Sequence, residues 1–156
     1  MKKIVLISCV SRKGKLKAKA KDLYKGPLFK NSLEYARALN PDHIFILSAK
    51  YYLLDLDAEI EPYDVTLSYV SPNKMINKPN LKVLTKEETV EWGKKVLEQL
   101  GKIADLTNDE FIFLAGQSYL SPIASDLKKI KEPLKGIIQG KRPSILKHLI
   151  SEINGR

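Results

Sequence analysis

Short apolar runs alternate with segments of helical period, and this alternation most constrains what the chain can fold into. Ile4–Ile7, Ile44–Leu47 and Phe111–Ala115 are the longest apolar runs. Each has the length of a strand covered on both faces and falls far short of the roughly 20 residues that span a bilayer. Ile4–Cys9 therefore reads as a first strand, His43–Ser48 as a second and Glu110–Ala115 as a third. Between them, Phe29–Leu39 places Phe29, Leu33, Ala36 and Leu39 on one helical face and stops at Asn40-Pro41. Thr85–Lys102 opens on Thr85-Lys86-Glu87-Glu88, a capping box, and aligns Val90, Gly93, Val96, Leu97, Leu100 and Ile103. Ser121-Pro122 reads as the start of a further helix with Ile123, Leu127 and Ile130 inward. Leu134–Ile138 reads as a fourth strand, and Pro143–Asn154 as the last helix, with Gly155 as its C-cap. Ala49–Asn80 carries Pro62, Pro72 and Pro79 without helical period, as a long functional or disordered loop does. The order predicts one α/β domain over 1–156, a three-layer α/β/α arrangement on a mainly parallel sheet of about four strands.

The charge is concentrated rather than spread. The chain of 156 residues has a formal net charge of +9. Residues 1–30 hold ten basic side chains and one acid, Asp22, whereas residues 31–156 hold 17 of each sign. The whole excess is thus local, and seven of its cations lie between Arg12 and Lys25. Such a run is either a solvated loop or a phosphate-binding element, where clustered cations release counterions and speed encounter. The dominance of Lys over Arg suits backbone attraction more than base reading. The basic tip and apolar run at Met1–Ile7 are too short for a secretory signal. A single cysteine, Cys9, allows no intrachain disulfide and fits a reducing compartment, so a cytoplasmic protein without membrane association is expected.

Ligands of open parallel sheets sit beyond the carboxyl ends of the strands. That rule selects Ser8-Cys9-Val10, Ser48-Ala49-Lys50-Tyr51, Gly116-Gln117-Ser118-Tyr119 and Gln139-Gly140-Lys141-Arg142, each polar or flexible. Ser8, Cys9, Ser48, Tyr51, Gly116 and Tyr119 are therefore candidate ligand contacts. Lys13, Lys15, Lys17 and Arg142 are candidates for phosphate, Arg142 at a helix start where free amides favour anions. Gly116 reads equally as a tight turn, and Tyr119 as core. The P-loop pattern is absent. Cys9 has no histidine in prospect, since His43 falls at the opposite end of a strand and His148 inside the last helix, so a structural thiol is the simpler reading. Three scattered Cys and His residues make no zinc site, and no cofactor is expected. Asp55, Asp57, Glu59 and Glu61 alternate with apolar residues, as on a half-exposed extended segment. Glu61-Pro62-Tyr63-Asp64 stands out because Pro62 stiffens it and Tyr63 adds a ring. Glu61 and Asp64, with Lys50, are the candidate catalytic groups.

Leu6-Ile-Ser-Cys-Val-Ser-Arg-Lys13, Ala20-Lys-Asp-Leu-Tyr-Lys-Gly-Pro-Leu-Phe29, Ile46-Leu-Ser-Ala-Lys-Tyr-Tyr-Leu-Leu-Asp55 and Ile60-Glu-Pro-Tyr-Asp-Val-Thr-Leu67 carry a resemblance. They are similar to a family of small prokaryotic and phage proteins described as a domain of unknown function. Its pattern also has a glycine and a tyrosine after the third strand, here Gly116 and Tyr119. Relatives usually have glycine where this chain has Tyr52. More distantly, Tyr51-x-Leu-Leu with Ile60-x-Pro-Tyr resembles the YaaA family, which implies DNA binding and a link to oxidative stress. The α/β order also resembles the uracil-DNA glycosylase-like fold. That likeness implies Tyr24, Tyr51, Tyr63 and Tyr119 as stacking residues and Glu61 or Asp64 as the water-activating carboxylate. The Gly-Gln-Asp-Pro-Tyr run of those enzymes is absent, and Gly116-Gln-Ser-Tyr119 matches it only in part.

The expected function is a nucleic-acid-binding protein, on DNA first, acting on a nucleobase as a hydrolase or N-glycosidase. An enzyme on a free nucleotide or sugar phosphate and a non-catalytic binding module are the alternatives.

Overall fold

A computed structural model of the chain describes residues 1–11 and 13–155. Arg12, the first cation of the basic run, and Arg156 lie outside the described residues. In chain order the elements are β1 (Lys3–Ser8), β2 (Ala18–Lys19), α1 (Ala20–Leu23), α2 (Pro27–Ala38), β3 (His43–Ser48), β4 (Tyr52–Asp55), β5 (Glu59–Ile60), β6 (Val65–Thr66), α3 (Pro72–Ile76), β7 (Lys82–Val83), α4 (Lys86–Gly101), β8 (Glu110–Leu114), α5 (Gln117–Ala124), β9 (Lys129–Lys131) and α6 (Arg142–Asn154), with a 3-10 turn at Gln139–Lys141 before α6.

The central sheet has the order β4-β3-β1-β8-β9. β1 pairs in parallel with β3 on one side (Ile4 opposite His43) and with β8 on the other (Ile4 opposite Phe111). β9 adds in parallel at one edge, and β4 closes the other edge antiparallel to β3. Strand alternation then sorts the core. Val5, Ile7, Ile46, Ile112 and Leu114 face α2 and α6, meeting Phe29, Leu33, Ala36, Leu146 and Ile150. Ile4, Leu6, Leu47, Phe111 and Phe113 face α4 and α5, meeting Trp92, Val96, Leu100 and Ile123. The result is the expected three-layer arrangement, with five strands where about four were read. Among the described residues no helix is long and apolar enough to cross a membrane.

The capping box at α4 is formed. Thr85 Oγ1 accepts from the Glu88 amide and Glu88 Oε1 accepts from the Thr85 amide, both at 3.1 Å. Elsewhere the sequence reading needs correction. The last strand is Lys129–Lys131 and not Leu134–Ile138. Its Lys-Ile-Lys pattern buries little, as a short charged edge strand does, whereas Leu134 is buried within a turn region. Ser121-Pro122 does not open a helix, because α5 starts at Gln117 with Gly116 as its cap and Pro122 lies inside it. Ala49–Asn80 is not structureless. β4, β5, β6 and α3 all fall in it; β4 pairs with the adjacent β3, whereas β5 and β6 find partners farther away along the chain, Ala18 pairing with Ile60 and Val65 with Lys82.

Tyr52 opens β4 with φ of 65°, the left-handed region where a side chain is strained. This is the position at which the resemblance noted from sequence implies glycine. Lys95 of α4 supports the tyrosine there, its Nζ donating to the Tyr52 hydroxyl at 3.2 Å and lying 4.7 Å from the ring centroid.

α4 and α5 touch backbone to backbone at Gly93. A Cβ there would stand 2.6 Å from the Pro122 carbonyl oxygen, whereas one at Gly101 would meet nothing within 4 Å. Gly93→Ala is therefore expected to lose about 1–3 kcal/mol despite its better helix propensity, and Gly101→Ala to gain up to about 1 kcal/mol. Urea unfolding of the two variants measures both, and a stabilised Gly93→Ala would contradict the close contact of α4 with Pro122.

Candidate functional site

β1 and β8 end side by side at the carboxyl edge of the sheet, and the chain departs from each without a covering strand. Cys9 continues from β1, its amide donating to the Leu47 carbonyl at 2.9 Å. From β8 the chain enters α5 through Gly116, whose carbonyl accepts from the Tyr119 amide at 3.1 Å. Above these ends lies a cavity of about 540 Å3, within the size range of small-molecule sites. Ser8, Cys9 and Gly116 form its floor with Tyr119, while Lys13, Asp64, Lys74, Lys78 and Arg142 bring charge to its walls. Arg142 is held by its Nε, which donates to the Ile137 carbonyl at 2.9 Å.

Four cations thus face one carboxylate in the described lining. The segment between β6 and β7 supplies two of them, together with Ser68 and Tyr69, and β6 itself adds Thr66. Tyr69 is 84% exposed at the rim. None of these residues was singled out from sequence. The unusual length of the 49–80 connection was the one signal that could have found them.

A second layer lies behind the cavity. The Tyr24 and Tyr63 hydroxyls are 2.6 Å apart, and Ser48 Oγ donates to the Tyr63 hydroxyl at 2.8 Å. Ser48 Oγ also accepts from the Tyr51 amide at 3.0 Å, and the Ser48 carbonyl accepts from Trp92 Nε1 at 2.8 Å. The Tyr51 ring meets Tyr63 edge-on at 5.4 Å. Lys13 joins the layers, its Nζ 4.5 Å from the Tyr63 centroid and 5.9 Å from that of Tyr24. Tyr119 is tied by its hydroxyl to Cys9 Sγ at 3.3 Å and Thr66 Oγ1 at 3.4 Å, and its ring stands edge-on to Trp92 at 5.9 Å.

The sequence candidates therefore divide. Ser8, Cys9, Lys13, Asp64, Gly116, Tyr119 and Arg142 share the cavity. Tyr24, Ser48, Tyr51 and Tyr63 form the layer beneath it. Lys50 and Glu61 are outside the lining: both are exposed, Lys50 Nζ lies 5.3 Å from the Tyr51 centroid, and only the backbone carbonyl of Glu61 takes part, accepting from the Tyr51 hydroxyl at 3.4 Å. The reason is local. β3 turns back at once into β4, so Ser48–Tyr51 forms a turn packed against Tyr63 and Trp92 and does not open onto the cleft. Lys15 and Lys17 are exposed and outside the lining, and Lys19 and Lys21 are drawn to Asp57, at 4.0 and 3.1 Å. The hydrogen bond from Lys21 holds the Asp57 carboxyl below its ordinary range. Part of the basic run is thus neutralised by the acidic segment across the β2–β5 pairing. Among the described residues no three His, Cys, Asp or Glu side chains gather as metal ligands.

Fold and cleft together define a three-layer α/β protein with a cation-rich cavity at the carboxyl ends of adjacent parallel strands. The chain belongs to DUF6884, a family of unknown function whose pattern matches residues 4–148. No curated protein matches the chain significantly.

Burial holds the hydroxyls of Tyr24, Tyr63 and Tyr119 above the ordinary phenol value of 10.0. An unfolded chain releases these protons near pH 10, while the folded chain keeps them, so stability falls as pH rises past that value. Tyr63→Phe is expected to fall less steeply there. At pH 7 it should be less stable by about 1–2 kcal/mol, because Ser48 and Tyr24 lose a buried partner. Urea unfolding at several pH values checks both effects.

Proposed function

We propose that the protein binds nucleic acid, with DNA as the first candidate, and hydrolyses the N-glycosidic bond of a nucleotide drawn into the cleft. The observation that carries this reading is the pairing, in one cavity of about 540 Å3, of four cationic side chains with a single carboxylate, Asp64. Clustered cations attract a phosphodiester backbone. A cavity of that size accommodates one extruded nucleotide rather than a duplex. The exposed ring of Tyr69 at the rim offers a face for an adjacent base, since base–aromatic stacking is worth about 1–3 kcal/mol.

In this reading Lys74, Lys78 and Arg142 hold phosphates, and Asp64 takes a proton from the attacking water. Water adds at C1′, the C1′–N bond breaks, and the base leaves with its electron pair and is protonated. Asp64 is preferred to Glu61 because it belongs to the cavity lining and Glu61 does not. Tyr63 and Tyr24 support Lys13 from beneath rather than stack on a base. The likeness of Tyr51-x-Leu-Leu and Ile60-x-Pro-Tyr63 to the YaaA family points toward the same ligand class.

Asp64→Asn is expected to reduce base release from a modified-base oligonucleotide by at least about 100-fold while leaving binding nearly unchanged. Binding should weaken with salt, and Arg142→Ala should lower the log–log slope by about 1. A slope near zero would remove the polymer ligand. Equal base release by wild type and Asp64→Asn would remove the assigned role of the carboxylate.

A further inference from the structure

Lys13 differs from the other cations of the cleft. Lys74 and Lys78 are exposed, whereas Lys13 is half-buried, laid over Tyr63 at 4.5 Å. Its backbone is fixed on both sides of the turn, by a bridge to Tyr24 and by the Gly14 amide donating to the Leu23 carbonyl at 2.8 Å. Among the described residues it makes no ion pair, although it shares the cavity with Asp64. A lysine whose only task is to attract phosphate needs neither the burial nor the aromatic bed.

We propose that Lys13 is an amine nucleophile that condenses with the aldehyde of a ring-opened, phosphorylated pentose held in this cleft. The inference rests on the reading of the cleft as a site for a phosphorylated sugar. Hydrolysis of an N-glycosidic bond leaves C1′ as a hemiacetal in equilibrium with the open aldehyde, so the proposed product carries the required group. The Nζ lone pair attacks C1′ and forms the C–N bond, while the carbonyl electron pair moves to oxygen. Two protons pass from nitrogen to that oxygen, the C–O bond breaks, and one water leaves, giving an imine. Lys74, Lys78 and Arg142 hold the flanking phosphate. The aromatic bed holds Nζ in place, 4.5 Å from the Tyr63 centroid, within a side chain that lines the cavity.

Burial favours the neutral, nucleophilic amine. It lowers the Lys13 pKa from the ordinary 10.5, with Lys78 acting in the same direction and Cys9 and Asp64 opposing.

An abasic site in DNA and a free pentose phosphate carry the same aldehyde and phosphate, and trapping separates them. The full chain is incubated with cyanoborohydride and either an oligonucleotide containing one abasic site or ribose 5-phosphate, and adducts are mapped by tandem mass spectrometry. The expected result is a reduced adduct on Lys13, which also blocks tryptic cleavage after that residue. Formation with the oligonucleotide alone identifies the polymer as the source, and formation with ribose 5-phosphate identifies the free sugar. Lys13→Arg keeps the charge but cannot form an imine. It should lose the adduct with an unchanged circular dichroism spectrum, while Lys147→Arg, on exposed α6 surface, should retain it. Absence of an adduct from wild type, or adducts spread over Lys74, Lys78 and other exposed lysines, overturns the proposal. Base release without trapping removes the imine and leaves the hydrolase reading standing. Trapping without base release does the reverse.

Discussion

Everything in this structure depends on β1 lying between β3 and β8, hydrogen-bonded to both in parallel. A central strand has both edges occupied and both faces covered, so Ile4, Val5, Leu6 and Ile7 are almost completely withdrawn from water. Fully burying a side chain of this kind stabilises the fold by about 1.5–3 kcal/mol. The same pairing fixes where the chain leaves the sheet. Ser8 and Cys9 emerge beside the end of β8, and the basic segment follows from there rather than from a helix face or a sheet edge.

The cleft inherits its character from what surrounds that exit. The β3–β4 turn, pinned by Ser48 to Tyr63 and Trp92, closes one flank and fills it with hydroxyl-linked rings. The α6 start and the β6–β7 segment close the others and bring Arg142, Lys74 and Lys78. Lys13 loses water on entering this hollow, and that loss outweighs what nearby charges and the aromatic faces return to its charged form. The hydroxyl network thus has a structural task. It keeps the rear wall rigid and polar groups satisfied, with no buried side-chain nitrogen or oxygen left unpartnered among the described residues.

The long elements were legible because their signals are local. Thr85 and Glu88 announce α4 through bonds that span three residues, and the apolar runs announce β1, β3 and β8 by length alone. β9 was misplaced because Leu134–Ile138 is more apolar than Lys129–Lys131, yet an edge strand is defined by its hydrogen bonds rather than its hydropathy. α5 was started too late because Ser-Pro imitates a helix start, while the contact of Pro122 with Gly93 belongs to a different helix. In the site, the carboxyl-end rule placed Ser8, Cys9 and Gly116 near one another from order alone, whereas Arg142 reaches the cavity from the start of α6 although the strand read before it, Leu134–Ile138, is not one. It failed for Lys50 and Tyr51 because a parallel strand that turns back immediately has no open end.

By itself, the amino-acid order determined the layer architecture, the central strands, the capped helix and the local excess of positive charge, since each follows from period, length or composition within a few neighbouring residues. Tertiary structure alone decided which lysines face the cleft and which pair with Asp57, which carboxylate enters it, and that Tyr24, Tyr63 and Ser48 form one buried network. Those outcomes depend on pairings such as Ala18 with Ile60 and Lys13 with Tyr24, and a pairing between strands leaves no periodic trace in either partner.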